Sequence, residues 1–127
     1  MFSHVMLGAD DIEASRQFYD AALGALGVPP GSTDAKGRVW WRTARGLFAI
    51  SKPIDGGPAS CANGGTIGFA ASSTEAADAF HAAGLAHGGT AIEDPPGPRV
   101  SPVFGTLHLA YLRDPAGNKV VAMHRQA

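Results

Sequence analysis

Two histidines carry most of the chemistry this sequence can offer. His4 and His108 each lie in an apolar run, near opposite ends of the chain. An imidazole that titrates near neutrality can act as general acid or base, donate a hydrogen bond or ligate a metal. The plainer role for both is that of a strand histidine with a satisfied hydrogen bond. The stretch GGTAIEDPPGPR at 88–99 adds Glu93 and Asp94, which could swing toward a metal, and Arg99, whose planar guanidinium suits a bidentate pair with a ligand carboxylate. The plainer role for Arg99 is an ion pair that holds its own loop. Cys61 is the single cysteine and has no basic neighbour in sequence, so an internal disulfide and a multi-cysteine metal site are excluded. No dinucleotide-binding fingerprint, phosphate-binding loop, nucleophile elbow or HExxH motif occurs, and Ser3 beside His4 has no acidic partner visible in the sequence.

With 45% hydrophobic residues, 17% charged residues and a formal net charge of -1, the composition is globular and offers no cationic footprint for nucleic acid or membrane. The opening MFSHVMLGADD lacks a basic n-region and closes on two aspartates, so no secretory signal is expected there. No apolar run approaches the roughly 18 residues of a membrane span. A cytoplasmic protein is expected. The 127 residues suit one compact domain over 1–127, so any subdivisions must share a core.

The subdivision that positions these residues is a repeat. Residues 9–27, ADDIEASRQFYDAALGALG, are echoed at 71–89 by ASSTEAADAFHAAGLAHGG at a constant offset of 62. Ala9, Glu13, Ala14, Phe18, Ala21, Leu23 and Gly27 recur as Ala71, Glu75, Ala76, Phe80, Ala83, Leu85 and Gly89. Two related modules facing each other would enclose a cavity at their seam. Module one spans about 1–55, a Gly/Pro/Ser linker about 56–63 and module two about 64–127. Each opens with a short apolar strand, followed by a helix capped by Asp10 with Glu13 in one copy and by Ser72 with Glu75 in the other. Glycines 24 and 27, then 84, 88 and 89, end the helices.

RVWWRT and GLFAIS predict a hairpin turning at Ala44-Arg45-Gly46, and TLHLAYLR and NKVVAMH a second one around Asp114-Pro115-Ala116-Gly117. Aligning Gly46 with Gly117 raises the offset to 71, so about nine extra residues fall in IEDPPGPRVSPVFG, a proline-rich loop at the cavity rim. Strand, helix and hairpin in each module make the chain α+β, with curved sheets around a central cavity.

Pairing Arg113 with Asn118 across the second turn sets Ala110 opposite Val121 and His108 opposite Met123, which aims His108 into the cavity. The same face arithmetic predicts an apolar wall of Val39, Trp41, Phe48 and Ile50 from module one, Ala110, Leu112, Val121 and Met123 from module two, and Met6, Thr66 and Gly68 from the opening strands. Trp40 and Trp41 must face opposite ways, one of them into the helix-side core.

His4 in the opening strand, DIEASRQFY at 11–19, the 88–99 stretch and RDPAGNK at 113–119 occur in an order that, with the repeat, resembles the vicinal oxygen chelate superfamily. That superfamily groups glyoxalase I, extradiol dioxygenases, fosfomycin and bleomycin resistance proteins and methylmalonyl-CoA epimerase. The resemblance implies two tandem βαβββ modules over nearly the whole chain. In many members it also implies a divalent metal held by four side chains, from the first and last strands of each module. Carried over residue by residue, those positions are His4, Ile50, Thr66 and Val121, of which only His4 is a good ligand. The resemblance thus implies an intact scaffold without the usual metal site. No cofactor is expected unless His4 and His108 gather a displaced ion with help from Glu93 or Asp94.

A glyoxalase/bleomycin-resistance-like protein that binds a small, partly apolar molecule in the cavity is the first expectation. Its ligand-binding residues would be His4, Trp41, Phe48, Ile50, Thr66, Arg99, His108, Val121 and Met123, with His4 and His108 the candidates for any catalysis. By resemblance it would be a homodimer, with no nucleic-acid or membrane partner. The alternative is a metal-dependent lyase or isomerase of the lactoylglutathione lyase type, or a dioxygenase. An interaction module whose cavity is filled by its own side chains is the third.

Overall fold

The computed structural model describes residues 1–126, and its elements follow the duplication. In the first module β1 (His4–Gly8) leads into α1 (Ile12–Gly24), then β2 (Ser32–Thr33), β3 (Val39–Thr43) and β4 (Gly46–Ser51). The second contains β5 (Ile67–Ala70), α2 (Thr74–Ala86), β6 (Thr90–Ala91), β7 (Gly97–Ser101), β8 (Gly105–Arg113) and β9 (Lys119–Arg125). β1 runs parallel to β4 and β5 parallel to β9. The two mixed sheets are ordered β1-β4-β3-β2 and β5-β9-β8-β6, with β7 also beside β8, and they do not close into a barrel. This is the expected α+β pairing of βαβββ modules, and β7 is an addition to the second.

Both helices start one residue later than predicted. Asp11 accepts from the Ala14 N–H at 3.0 Å, and Ser73 accepts from the Ala76 N–H at 3.0 Å. Asp10 instead accepts from the Ala59 N–H at 2.7 Å and pins the linker. α2 runs through Gly84 rather than ending there. That glycine is buried, and a Cβ on it would lie 2.4 Å from Leu112 and 2.9 Å from Phe18. Its bareness lets α1 and α2 touch. The helix sides of both sheets therefore share one core, crossed by Phe18, Tyr19, Trp41, Phe48, Phe69 and Phe80. Phe48 of one module meets Phe69 of the other edge to face at 5.1 Å.

Within the predicted proline-rich loop, Gly97–Ser101 forms β7, and as an edge strand it tolerates Pro98. The β8–β9 connection also departs from its prediction. It takes in Asp114–Asn118, so Arg113 pairs with Lys119, Ala110 with Ala122 and His108 with His124. The Asp114 carboxylate is the cause: it takes the N–H groups of Ala116 and Asn118 at 3.0 and 2.8 Å and closes the turn one residue late. A slip of one residue turns every side chain of a strand to the other face. Consequently Ala110, Leu112 and His108, on the helix side, share that face with Val120, Ala122 and His124 rather than with Val121 and Met123. Val39, Trp41, Phe48 and Ile50 are likewise buried on the helix side of their sheet. Met6, Gly68, Val121 and Met123 lie on the opposite faces, where Met6 is 37% and Met123 41% exposed.

Two hydrogen bonds lock the modules together. The Tyr19 hydroxyl donates to Asp114 Oδ2 at 2.6 Å, and Asn118 Nδ2 donates to the Gly8 carbonyl at 3.0 Å. Among the described residues no helix is long and apolar enough to cross a membrane.

Candidate ligand-binding site

On one side of the seam the Asp114–Asn118 turn reaches across to β1. On the other, the shorter hairpin tip at residues 43–46 makes no hydrogen bond to the second module among the described residues, and a cavity of about 640 Å³ opens between the modules. Its floor is apolar and comes from both modules: Leu26 and Val28 after α1, Trp41 and Phe48 from the first sheet, Ile67 and Phe69 from β5. Ser3, His4, Arg45 and Ser72 stand at the polar rim.

Local chemistry fixes these positions. Gly27 turns the chain at φ 89°, and the Val28 N–H bonds the Leu23 carbonyl at 3.0 Å, so Val28 folds back onto the helix end. Trp41 donates its indole N–H to Asp20 Oδ1 at 2.9 Å and packs between Tyr19 and Phe48, at 5.5 and 5.7 Å between ring centroids. His4 is exposed, with Nδ1 2.8 Å from Ser3 Oγ and its ring 5.7 Å from that of Trp40. Arg45 has no ion pair among the described residues, so the mouth carries an uncompensated positive charge.

Of the predicted site residues, the cavity brings together His4, Trp41 and Phe48. Ile50 is fully buried in the core, and Thr66 is exposed just ahead of β5. Val121 and Met123 sit in β9 beside Gly68 and Ala70, on the face turned away from the helices. Arg99 donates to the carbonyls of Asp94 and Pro95 at 3.2 and 3.0 Å, bonds that hold its own loop. His108 is buried against α2 with Nε2 2.8 Å from Asp78 Oδ1, a tie between helix and sheet rather than a cavity group. Sequence reasoning missed Val28, Arg45, Ile67 and Phe69. An apolar residue directly after a helix-ending glycine was the available signal for Val28. Phe69, the repeat partner of Leu7, was legible as a core residue but not as a cavity floor.

The superfamily's metal positions do not fit a metal here. Gly8 pairs with Ser51 and its repeat partner Ala70 with Met123, so the sheets make Ala49, not Ile50, the counterpart of Val121. Neither side chain donates an electron pair, and among the described residues no three His, Cys, Asp or Glu side chains converge.

No family model matches the sequence, and no curated protein matches it closely enough to count as a relative. Solved structures do. A glyoxalase/bleomycin resistance protein from Albidiferax ferrireducens T118 is 57% identical, with a TM-score of 0.95 over 98% of this chain and 99% of that one. The chain belongs to the glyoxalase/bleomycin resistance protein family, within the vicinal oxygen chelate superfamily. Other structures share the glyoxalase-like fold at low identity. A glyoxalase/bleomycin resistance protein/dioxygenase family enzyme from Burkholderia phytofirmans PsJN has a TM-score of 0.70 at 17% identity, covering 98% of each chain. A lactoylglutathione lyase from Agrobacterium tumefaciens has 0.66 at 21%, covering 98% of this chain and 92% of that one.

Proposed function

We propose that this glyoxalase/bleomycin resistance family member captures a small, partly apolar molecule in the cavity between its modules, without a metal. One observation carries the proposal: a cavity of about 640 Å³ has an apolar floor shared by both modules and a mouth bearing His4 and Arg45. Small-molecule sites typically combine apolar walls with a few polar groups that fix orientation, in volumes of about 300–1,000 Å³. The apolar part of the ligand would displace water from the floor, and a polar or anionic end would meet the imidazole and the guanidinium. Capture is favoured over catalysis because Ser3 and His4 have no carboxylate to orient them among the described residues. The protein is proposed to act in the cytoplasm as a homodimer, with a second copy covering the free edges of β1 and β5.

A thermal-shift screen with small aromatic compounds and antibiotics, run with and without EDTA, tests this. A true ligand at a hundred times its Kd stabilises by about 2.7 kcal/mol. That should raise Tm by several degrees, equally in both buffers, and Val28→Arg should remove the shift by filling the floor. A shift that EDTA abolishes, or a library that moves Tm nowhere, would refute metal-free capture.

A further inference from the structure

The lining of the seam cavity is uneven in a way that narrows what it can hold. Trp41 and Phe48 are only 2% and 7% exposed, so their rings back the floor and offer a ligand little area. The surface left for contact belongs to half-buried side chains: Val5 of β1, Leu26 and Val28 after α1, and Ile67 and Phe69 of β5. All but Phe69 are branched aliphatic residues, and none has a polar atom in its side chain. They come from separate segments that meet only at the seam.

The mouth is as one-sided as the floor. No aspartate or glutamate lines the cavity, and Arg45 is the one lysine or arginine that does. Its guanidinium keeps its charge at every physiological pH. Among the described residues that guanidinium neither pairs with a carboxylate nor donates a hydrogen bond. The hydroxyls of Ser3, Thr43 and Ser72 share the rim with it. The Arg45 N–H donates to Thr43 Oγ1 at 3.1 Å, which fixes the hairpin tip and leaves the Thr43 hydroxyl proton for another acceptor.

Charge and floor together set the class of ligand. A cation at this mouth would meet Arg45 with no counter-charge beside it. A molecule with an acid at both ends would bury one carboxylate among aliphatic side chains that donate nothing, which is costly. A single carboxylate on an alkyl chain satisfies both conditions, with its head on the guanidinium and its tail on the floor.

The geometry points to an alkyl monocarboxylate, a short- or medium-chain fatty acid anion, as the molecule this cavity takes, with Arg45 the clamp that sets its charge and orientation. The assignment rests on the metal-free capture proposed above and adds to it one acidic end and a flexible apolar tail.

Octanoate is the test ligand, with EDTA present throughout. Binding is followed by NMR at the indole N–H of Trp41, which lines the cavity, with that of Trp40 on the other face of β3 as the control. Octanoate should shift the Trp41 signal saturably and leave Trp40 in place. Butanoate should bind at least about tenfold more weakly, since each methylene buried is a factor of about four. Suberate, of equal length with an acid at each end, and octylamine should each be weaker by at least about tenfold as well. Arg45→Gln should lose about tenfold or more of the octanoate affinity, and Arg45→Glu should turn the preference toward octylamine. If butanoate, suberate or octylamine binds as tightly as octanoate, or Arg45→Gln binds it like the wild type, the alkyl monocarboxylate is overturned while capture in the cavity stands. If no member of the set moves Trp41 by about 10 mM, or only Trp40 responds, the capture reading falls with it. The ranking of ligands on the unmodified protein decides the class even if a variant folds poorly.

Discussion

Asp114 is 3% exposed and accepts four hydrogen bonds, from the Tyr19 hydroxyl, the Asn118 side-chain amide and the N–H groups of Ala116 and Asn118. A carboxylate survives burial when its lone pairs find donors, as these do. The Tyr19 pKa lies well above its usual value, through burial first and the Asp114 charge second, so its hydroxyl stays a donor at neutral pH. Tyr19→Phe removes one donor and should cost about 1–3 kcal/mol in urea unfolding. Because the folded-state pKa is raised, this contribution is complete below about pH 10 and declines as pH rises through the folded value. The gap between variant and wild type should therefore be full at neutral pH and narrow in strong alkali. Proline and glycine made the 114–118 turn legible in the sequence, but the hydrogen bonding of Asp114 was not. That bonding lengthens the loop, and the extra residue sets His124 rather than Met123 opposite His108, whose own partner is Asp78 of α2.

The helices and hairpins were legible because their apolar spacing and turn residues agree locally. Their ends were less so. Asp10-Asp11 and Ser72-Ser73 are doublets in which either member can cap, and tertiary packing chooses the second. Gly84 reads as a stop in sequence, yet it is a contact surface for Phe18 and Leu112. Gly24 offers the contrast, since a Cβ there meets nothing within 4 Å. Gly84→Ala should destabilise by about 1–3 kcal/mol through overpacking, whereas Gly24→Ala should be neutral or stabilising by up to about 1 kcal/mol. Chemical denaturation of the two variants side by side checks both directions. Equal effects would mean that helix propensity, not the α1–α2 contact, governs these sites.

Across the whole molecule, the repeat made the pairing of modules legible but not which faces meet. Both faces of each sheet carry apolar residues, so pattern alone could not tell that the helix sides turn inward to one core. The outward faces expose Met6 and Met123, while Val100, Val103 and Phe104 stand exposed at the β7–β8 hairpin. In the homodimer proposed above, apolar surface of this kind beside unpaired strand edges is what the second copy would cover. Sedimentation at micromolar concentration should therefore give a dimer, and Met6→Glu with Met123→Glu should shift it toward the monomer. A wild-type monomer under those conditions would overturn the proposed assembly.

The bond from Asn118 to Gly8 spans 110 positions, and that from Tyr19 to Asp114 spans 95. Contacts so distant in sequence slow folding, because most of the chain must be gathered before they reward it. At about 5–20 residues per second, a ribosome takes roughly 5–20 s to make the residues between β1 and its lock. During that interval α1 and the first sheet wait for their core partners, since Phe69, Phe80 and Leu112 are made only after them. The first module is thus the part of the nascent chain that most needs shelter, and the fold commits itself only as its last hairpin is made.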